Sequence, residues 1–370
     1  MGAQPVLLRH QLDGVGEGGR SAPPKSIAIR QISNKNAVFL MRHIKIRQIL
    51  LTAVVAAFTF AAAQDAEIHK EIKGDEQRYK GVFPPDVKTI AMISPASYPG
   101  SPSHRRGIEL IQAAGYKVKV GKHAFDKPPK GEGAAPIEAR LEDFYNAWND
   151  DEVDMILYIR GGRGSLDLLN SLDFSKLKPR DNLRLQGYSD ITFILSAMQG
   201  KKIGHPVAGP MSGSISGLQP GCIEEMKKMH HGLAIGPIPV KPIIPGDCSG
   251  LPLAGLLQRF SVVCKTQFKP DTKGRIVIIE AVKLNAEQVK QSFDTLIAEG
   301  FFKECSGVVF GHFIRSGSPE EVNAILDDVA KRINKPTYKG FPFGHSSNCY
   351  TIDFNRPFVI KDNQVTIPGK

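Results

Sequence analysis

The 370-residue chain has only five cysteines, Cys222, Cys248, Cys264, Cys305 and Cys349, widely spaced and odd in number. They match neither a zinc-ligand spacing nor a disulfide framework, so no metal or set of bridges is expected to hold the fold, and buried thiols are the simpler reading. No Gly-x-Gly-x-x-Gly fingerprint and no Gly-Lys-Ser/Thr phosphate loop is present, which counts against nucleotide chemistry. Beyond residue 63 no Lys/Arg stripe with interleaved aromatics stands out, so there is no nucleic-acid signature. Internal repeats and heptad arrays are also lacking. The apolar run from Ile49 to Ala63, broken only by two threonines, falls short of the roughly 20 residues that span a bilayer.

What is there fits a globular enzyme, with 41% apolar and 23% charged residues. The length exceeds what one hydrophobic core usually supports, so two domains are expected. Residues 1–40 mix Gly, Ser, Pro and basic side chains without a period that would build a packed element, and read as a disordered or artefactual extension. Met41 then opens a basic stretch, Met-Arg-His-Ile-Lys-Ile-Arg, followed by the apolar run and by Ala61-Ala62-Ala63 before Gln64. Residues 41–63 therefore read as a signal peptide, and the protein is expected to be secreted or periplasmic after cleavage. Cleavage after Ala63 leaves 307 residues whose 40 basic and 35 acidic side chains give a net of +5, down from +11 for the whole chain.

Residues 64–87 read as a linker. Thr89–Ile93 is a short apolar strand, a helix is expected from about Ser103 to Ala114 with Gly115 as its left-handed stop, and Tyr116–Val120 alternates like a strand. Ile137, Leu141, Phe144, Tyr145 and Trp148 form one helical stripe, and Met155–Ile159 is an unbroken apolar run of the kind found in central parallel strands. Residues 88–215 are thus expected to form a doubly wound, mainly parallel α/β domain. Residues 216–250, rich in Gly, Pro and Lys, read as a crossover linker. Residues 251–370 read as a second, smaller α/β or β-rich domain, with a catalytic cleft between the two. Within it Arg275–Ile279 and Gly307–Phe310 are strands, and Ser318, Pro319 and Glu321 spell a capped helix start.

The stretch Ile159-Arg160-Gly161-Gly162-Arg163-Gly164-Ser165-Leu166 lies between a buried strand and a helix carrying Leu168, Leu169 and Leu172. Small residues there permit a tight turn and close substrate approach, and free amides at a helix start can hold an oxyanion. Taken alone, the stretch fits a nucleophile at Ser165, a phosphate cradle or a plain loop.

The wider pattern resembles the LD-carboxypeptidase family, which includes muramoyl-tetrapeptide carboxypeptidases and microcin C resistance peptidases. The resemblance runs from about Lys88 to the C-terminus. It is carried by Ile93-Ser94-Pro95-Ala96-Ser97, Arg160–Ser165, Leu172-Asp173-Phe174, Gly187-Tyr188-Ser189-Asp190-Ile191-Thr192, Gly209-Pro210-Met211, Ile278-Ile279-Glu280 and Phe343-Gly344-His345. It implies a serine in the glycine turn as nucleophile, a glutamate ending a later strand, and a histidine of a Gly-His loop as base. Those roles fall on Ser165, Glu280 and His345, with the Leu166 amide as oxyanion donor. His312 and His205 compete with His345 for the base, and the Phe-Gly-His context selects His345. Arg163 is the candidate for gripping a terminal carboxylate, since a guanidinium fork binds carboxylates bidentately.

The reaction so implied is hydrolysis of an L,D-peptide bond through an acyl-enzyme, releasing a terminal D-amino acid from murein peptides and needing no cofactor. A serine hydroxyl requires an imidazole to take its proton, and a carboxylate to fix that imidazole's tautomer. The alternatives are an amide hydrolase acting on another peptide conjugate, as in microcin C resistance, and a non-catalytic secreted two-domain ligand-binding protein. The expected partner is a murein peptide or other small peptide. Nucleic acid and stable membrane insertion are not expected, and a homodimer is left open.

Overall fold

The computed structural model describes residues 75–370, so the expected extension 1–40 and the signal segment 41–63 lie outside the described residues. The first half supplies β1 (Thr89–Met92), β2 (Lys117–Val120), β3 (Met155–Leu157), β4 (Arg184–Gly187) and β5 (His205–Ala208). The second supplies β6 (Ile235–Pro239), β7 (Lys241–Ile244), β8 (Cys248–Gly250), β9 (Pro252–Leu256), β10 (Ile276–Val282), β11 (Gly307–Ile314), β12 (Thr337–Lys339), β13 (Ile352–Asp353), β14 (Phe358–Lys361) and β15 (Gln364–Ile367).

These strands form a six-stranded sheet in the order β13-β5-β4-β3-β1-β2, a five-stranded sheet β7-β12-β11-β10-β9 and a four-stranded sheet β6-β15-β14-β8. In the first sheet β1 to β5 run parallel, with helices between consecutive strands, and only β13 is antiparallel. In the second, β9 to β12 are parallel and the edge strand β7 is antiparallel. Central strands β1, β3 and β10 are apolar because both their faces are covered, and β1 and β3 are buried throughout. The chain is therefore an α/β protein of two parallel-rich lobes.

Helix ends fall where local chemistry puts them. Pro102–Ala113 stops before Gly115 at φ +99°, and Ser318 caps Pro319–Ile333, its Oγ accepting from the Glu321 N–H at 3.2 Å while Glu321 Oε2 accepts from the Ser318 N–H at 2.9 Å. In the helix Ile137–Asn149 the expected stripe points inward most firmly at Phe144 and Trp148, both fully buried. Burial of side chains that size contributes roughly 1.5–3 kcal/mol each.

Two segments read as linkers are built into the fold. Within 64–87, Tyr79, Val82, Phe83 and Val87 are buried, Tyr79 Oη donates to Ile215 O at 2.6 Å, and the Phe83 N–H donates to Tyr116 Oη at 2.9 Å. Within 216–250 lie the helix Pro220–His230 and strands β6, β7 and β8. That helix buries Cys222, Ile223, Met226 and Met229, a helical spacing masked by the surrounding Gly, Pro and Lys. The prolines of β6 are accommodated because β6 is an edge strand.

His230 closes this helix onto the first sheet. Its Nε2 lies 2.7 Å from Gln186 Oε1, and its ring meets Phe83 edge-on at 4.9 Å between centroids. Burial pushes the His230 imidazole down to about 3. Below the ordinary histidine range the unfolded chain takes up a proton that the folded chain refuses, so acidification favours unfolding by up to about 1.4 kcal/mol per pH unit. Urea unfolding followed from pH 7 to 4 should therefore show a shallower loss of stability in His230→Gln than in the parent. Equal slopes would contradict this.

Candidate active site

The C-terminal end of β10 carries Glu280, which is fully buried. The register between β10 and β11 shifts between Ile279 and Ala281, and such an irregularity re-aims the side chain it contains. Glu280 Oε2 lies 2.9 Å from His345 Nδ1, while Oε1 has no partner among the described residues. Burial pushes the Glu280 carboxyl up, and the hydrogen bond from His345 pulls it back. Because a carboxylate only accepts, Nδ1 is the protonated nitrogen and Nε2 is free to accept.

His345 sits on the loop after Phe343-Gly344. Gly344 has φ +126°, and a methyl group there would stand 2.8 Å from Glu280 Cβ and 3.0 Å from Oε2, so only glycine lets the loop come this close. His312 is not a rival base but the fastening of this loop: its N–H donates to Phe343 O at 2.8 Å, and its Nε2 lies 2.8 Å from Asn348 O. His205 is elsewhere, with Nε2 2.6 Å from Asp353 Oδ1 beside the β5–β13 pairing.

The serine facing His345 is Ser189. Its Oγ lies 3.0 Å from His345 Nε2, and the Tyr188 ring lies against the imidazole at 4.8 Å between centroids. Ser189 follows the end of β4 by two residues, starts the 3-10 turn Ser189–Ile191, and leads into the helix Thr192–Lys201. Its φ is +62°, a left-handed conformation that costs a non-glycine residue roughly 1–2 kcal/mol. Strain of this kind at a strand-to-helix turn is how a nucleophilic hydroxyl is presented above a sheet.

Ser165 does not occupy this place. It is fully buried as the first residue of the helix Ser165–Ser171, its Oγ has no partner among the described residues, and its N–H donates to Asp190 Oδ2 at 2.9 Å. Leu166 shares that helical turn. Arg163 is exposed, with its N–H on Ser97 Oγ at 3.0 Å. What abuts Ser189 is the glycine turn itself: a methyl on Gly161 would lie 2.8 Å from Ser189 Cβ and 3.1 Å from Asp190 N. Among the described residues the N–H groups of Gly161, Gly162 and Asp190 have no acceptor. The glycine turn is thus a wall of the site, and the hydroxyl comes from the neighbouring strand end.

The turn is held from all sides. Ser97 N–H donates to Gly161 O at 3.2 Å, Arg140 Nη1 to Gly164 O at 2.9 Å, and Arg259 Nη2 to Gly162 O at 2.8 Å. The result is a half-buried hydroxyl aligned with an imidazole and a buried carboxylate, beside unpaired backbone donors. That arrangement suits nucleophilic acyl transfer.

Comparison with known proteins agrees. Residues 90–206 match the LD-carboxypeptidase N-terminal domain and residues 249–360 the LD-carboxypeptidase C-terminal domain. A probable murein peptide carboxypeptidase of Bacillus subtilis is 26% identical over 288 residues, covering 72% of this chain and 89% of its own. A murein tetrapeptide carboxypeptidase of Pseudomonas aeruginosa is 24% identical over 300 residues, covering 75% and 94%. The crystal structure of a muramoyltetrapeptide carboxypeptidase from Oxalobacter formigenes superposes with a TM-score of 0.66 at 23% identity, covering 76% of this chain and 98% of that one. An MccF-like protein from Bacillus anthracis gives 0.67 at 21%, covering 77% and 97%. With both of its domain models matched in order around a Ser189–His345–Glu280 arrangement, the chain belongs to the LD-carboxypeptidase family and is a serine-type carboxypeptidase.

Proposed function

We propose that this chain releases the terminal D-amino acid from murein peptides by cutting an L,D-peptide bond, with Ser189 as nucleophile, His345 as base and Glu280 as the group that orients the base. The observation that carries the reading is the continuous hydrogen-bonded line from Glu280 Oε2 through both nitrogens of His345 to Ser189 Oγ, at 2.9 and 3.0 Å. Ser189 Oγ attacks the scissile carbonyl carbon and its proton passes to His345 Nε2. The developing oxyanion is met by the unpaired N–H of Asp190 together with those of the glycine turn, donors worth about 10²–10³ in rate apiece where they have been removed from other enzymes. The C–N bond then breaks, His345 gives the proton to the departing amine, and water returns the enzyme by the reverse proton path.

Curated relatives with the names of murein peptide and murein tetrapeptide carboxypeptidases support the substrate class. The conjugate-hydrolase alternative has less behind it, because the MccF matches lie at 20–21% identity and speak for the fold. Export through residues 41–63 is part of the same proposal, since it would put the enzyme beside the cell wall that supplies its substrate.

Ser189→Ala should lower D-alanine release from a murein tetrapeptide by about 10⁴-fold or more, whereas Ser165→Ala should stay within a few-fold of the parent. The Ser165 hydroxyl is buried without a partner, so removing it should leave the melting temperature unchanged or raised. The reverse ranking, followed by mass spectrometry of released D-alanine, would overturn the assignment. Gly344→Ala should cost at least about 100-fold in turnover by pushing His345 off Glu280. Gly340→Ala, at φ +93° with open space around it, should lose stability but keep its turnover.

A further inference from the structure

Asp190, the residue after Ser189, has a carboxylate that is only 2% exposed and touches two parts of the molecule. Its Oδ2 accepts from the Ser165 N–H at 2.9 Å, and its Oδ1 accepts from Arg259 Nε at 2.6 Å. Arg259 belongs to the helix Leu257–Val263, which follows β9 of the second sheet. Its Nη2 donates to Gly162 O at 2.8 Å, and its guanidinium lies 5.6 Å from the centroid of the Phe193 ring, on the helix that follows Ser189. One guanidinium from the second lobe thus grips the nucleophile turn and the glycine turn at once.

We infer that Arg259 is a positioning residue that sets the distance between the two backbone walls of the oxyanion site. The inference rests on the reading of Ser189 as nucleophile. Gly162, at φ +107°, is closely approached by Ser97, whose Oγ would lie 2.4 Å from a methyl placed there. The Gly162–Arg163 peptide is thus held at both of its polar groups, its carbonyl accepting from Arg259 Nη2 at 2.8 Å and its N–H donating to Ser97 Oγ at 3.0 Å. Asp190 carries one candidate oxyanion N–H and the Gly161–Gly162 segment carries the others. Arg259 bonds to both segments through different nitrogens, so the separation of the donors depends on its planar fork. A lysine in its place can keep the ion pair with Asp190, but its single ammonium lacks the fork that spans both partners.

A residue serving only as an ion pair between lobes would be replaced by lysine without kinetic consequence. The positioning role predicts a different result. Arg259→Lys should melt within a few degrees of the parent, keep KM, and lose about 100-fold in kcat, the scale of a small displacement of catalytic groups. Inactivation by a fluorophosphonate, which reports serine acylation without any assumption about the peptide substrate, should slow in parallel. Arg259→Ala should fall further and regain kcat when guanidinium chloride is added at concentrations that do not unfold it, with no comparable gain from sodium chloride.

If the parent protein is not inactivated by the fluorophosphonate, or is still inactivated after Ser189→Ala, the reading of Ser189 fails and this inference falls with it. If the parent is inactivated through Ser189 but Arg259→Lys keeps parental kcat and inactivation rate, the inference alone is overturned. Loss of kcat in Arg259→Ala without guanidinium rescue, alongside a parental Arg259→Lys, has the same meaning.

Discussion

The site depends on one carboxylate buried at the end of a strand. Glu280 has no exposure to water, and an ionised carboxylate in such a place is costly unless it is paired and hydrogen-bonded. The imidazole of His345 is the partner the fold provides, and Gly344 is the condition for its approach. Once Nδ1 is committed to Glu280, Nε2 is left as the acceptor that a serine hydroxyl requires. Loop anchoring by His312 from β11 keeps that geometry from being lost to loop motion.

The architecture explains why the groups meet. In parallel α/β sheets the crevice lies beyond the carboxyl ends of the strands. Ser189 follows the carboxyl end of β4 in the first sheet, and Glu280 lies toward that of β10 in the second. The two lobes are tied together close to that point: Leu256 N–H, at the end of β9, donates to Thr192 Oγ1 at 3.1 Å, three residues beyond Ser189. Arg259 adds the second tie, on Asp190 and Gly162. Bonds that tie the lobes together therefore lie beside the proposed nucleophile.

Much of this was legible in the amino-acid order. An unbroken apolar run such as Met155–Ile159 announces a strand covered on both faces, and Ser318-Pro319 with Glu321 announces a helix start; both need only local chemistry. The LD-carboxypeptidase resemblance points to Glu280 at a strand end and to His345 in a Phe-Gly-His loop. The serine that faces His345 is harder to pick, because two strand-to-helix turns each offer one and the more glycine-rich of them holds Ser165. Leu157 ends β3 eight residues before Ser165, so the chain has room to turn that hydroxyl inward. Gly187 ends β4 two residues before Ser189, which leaves no such slack. The Gly-Tyr-Ser-Asp spacing was the available signal, and strand ends uncertain by a few residues hid it. The same limit applies to β13, a two-residue strand that joins the first sheet from far along the chain and has no local signature. Tyr79 and Phe83 likewise look like linker residues until the partners that cover them, Ile215 and Tyr116, are in place.

The most direct test is to find which serine becomes covalently modified. Reaction of the purified protein with a fluorophosphonate, digestion and peptide sequencing by mass spectrometry should place the adduct on Ser189 and nowhere else, with no adduct in His345→Ala. An adduct on Ser165, or one on Ser189 that forms as fast without His345, would contradict the account.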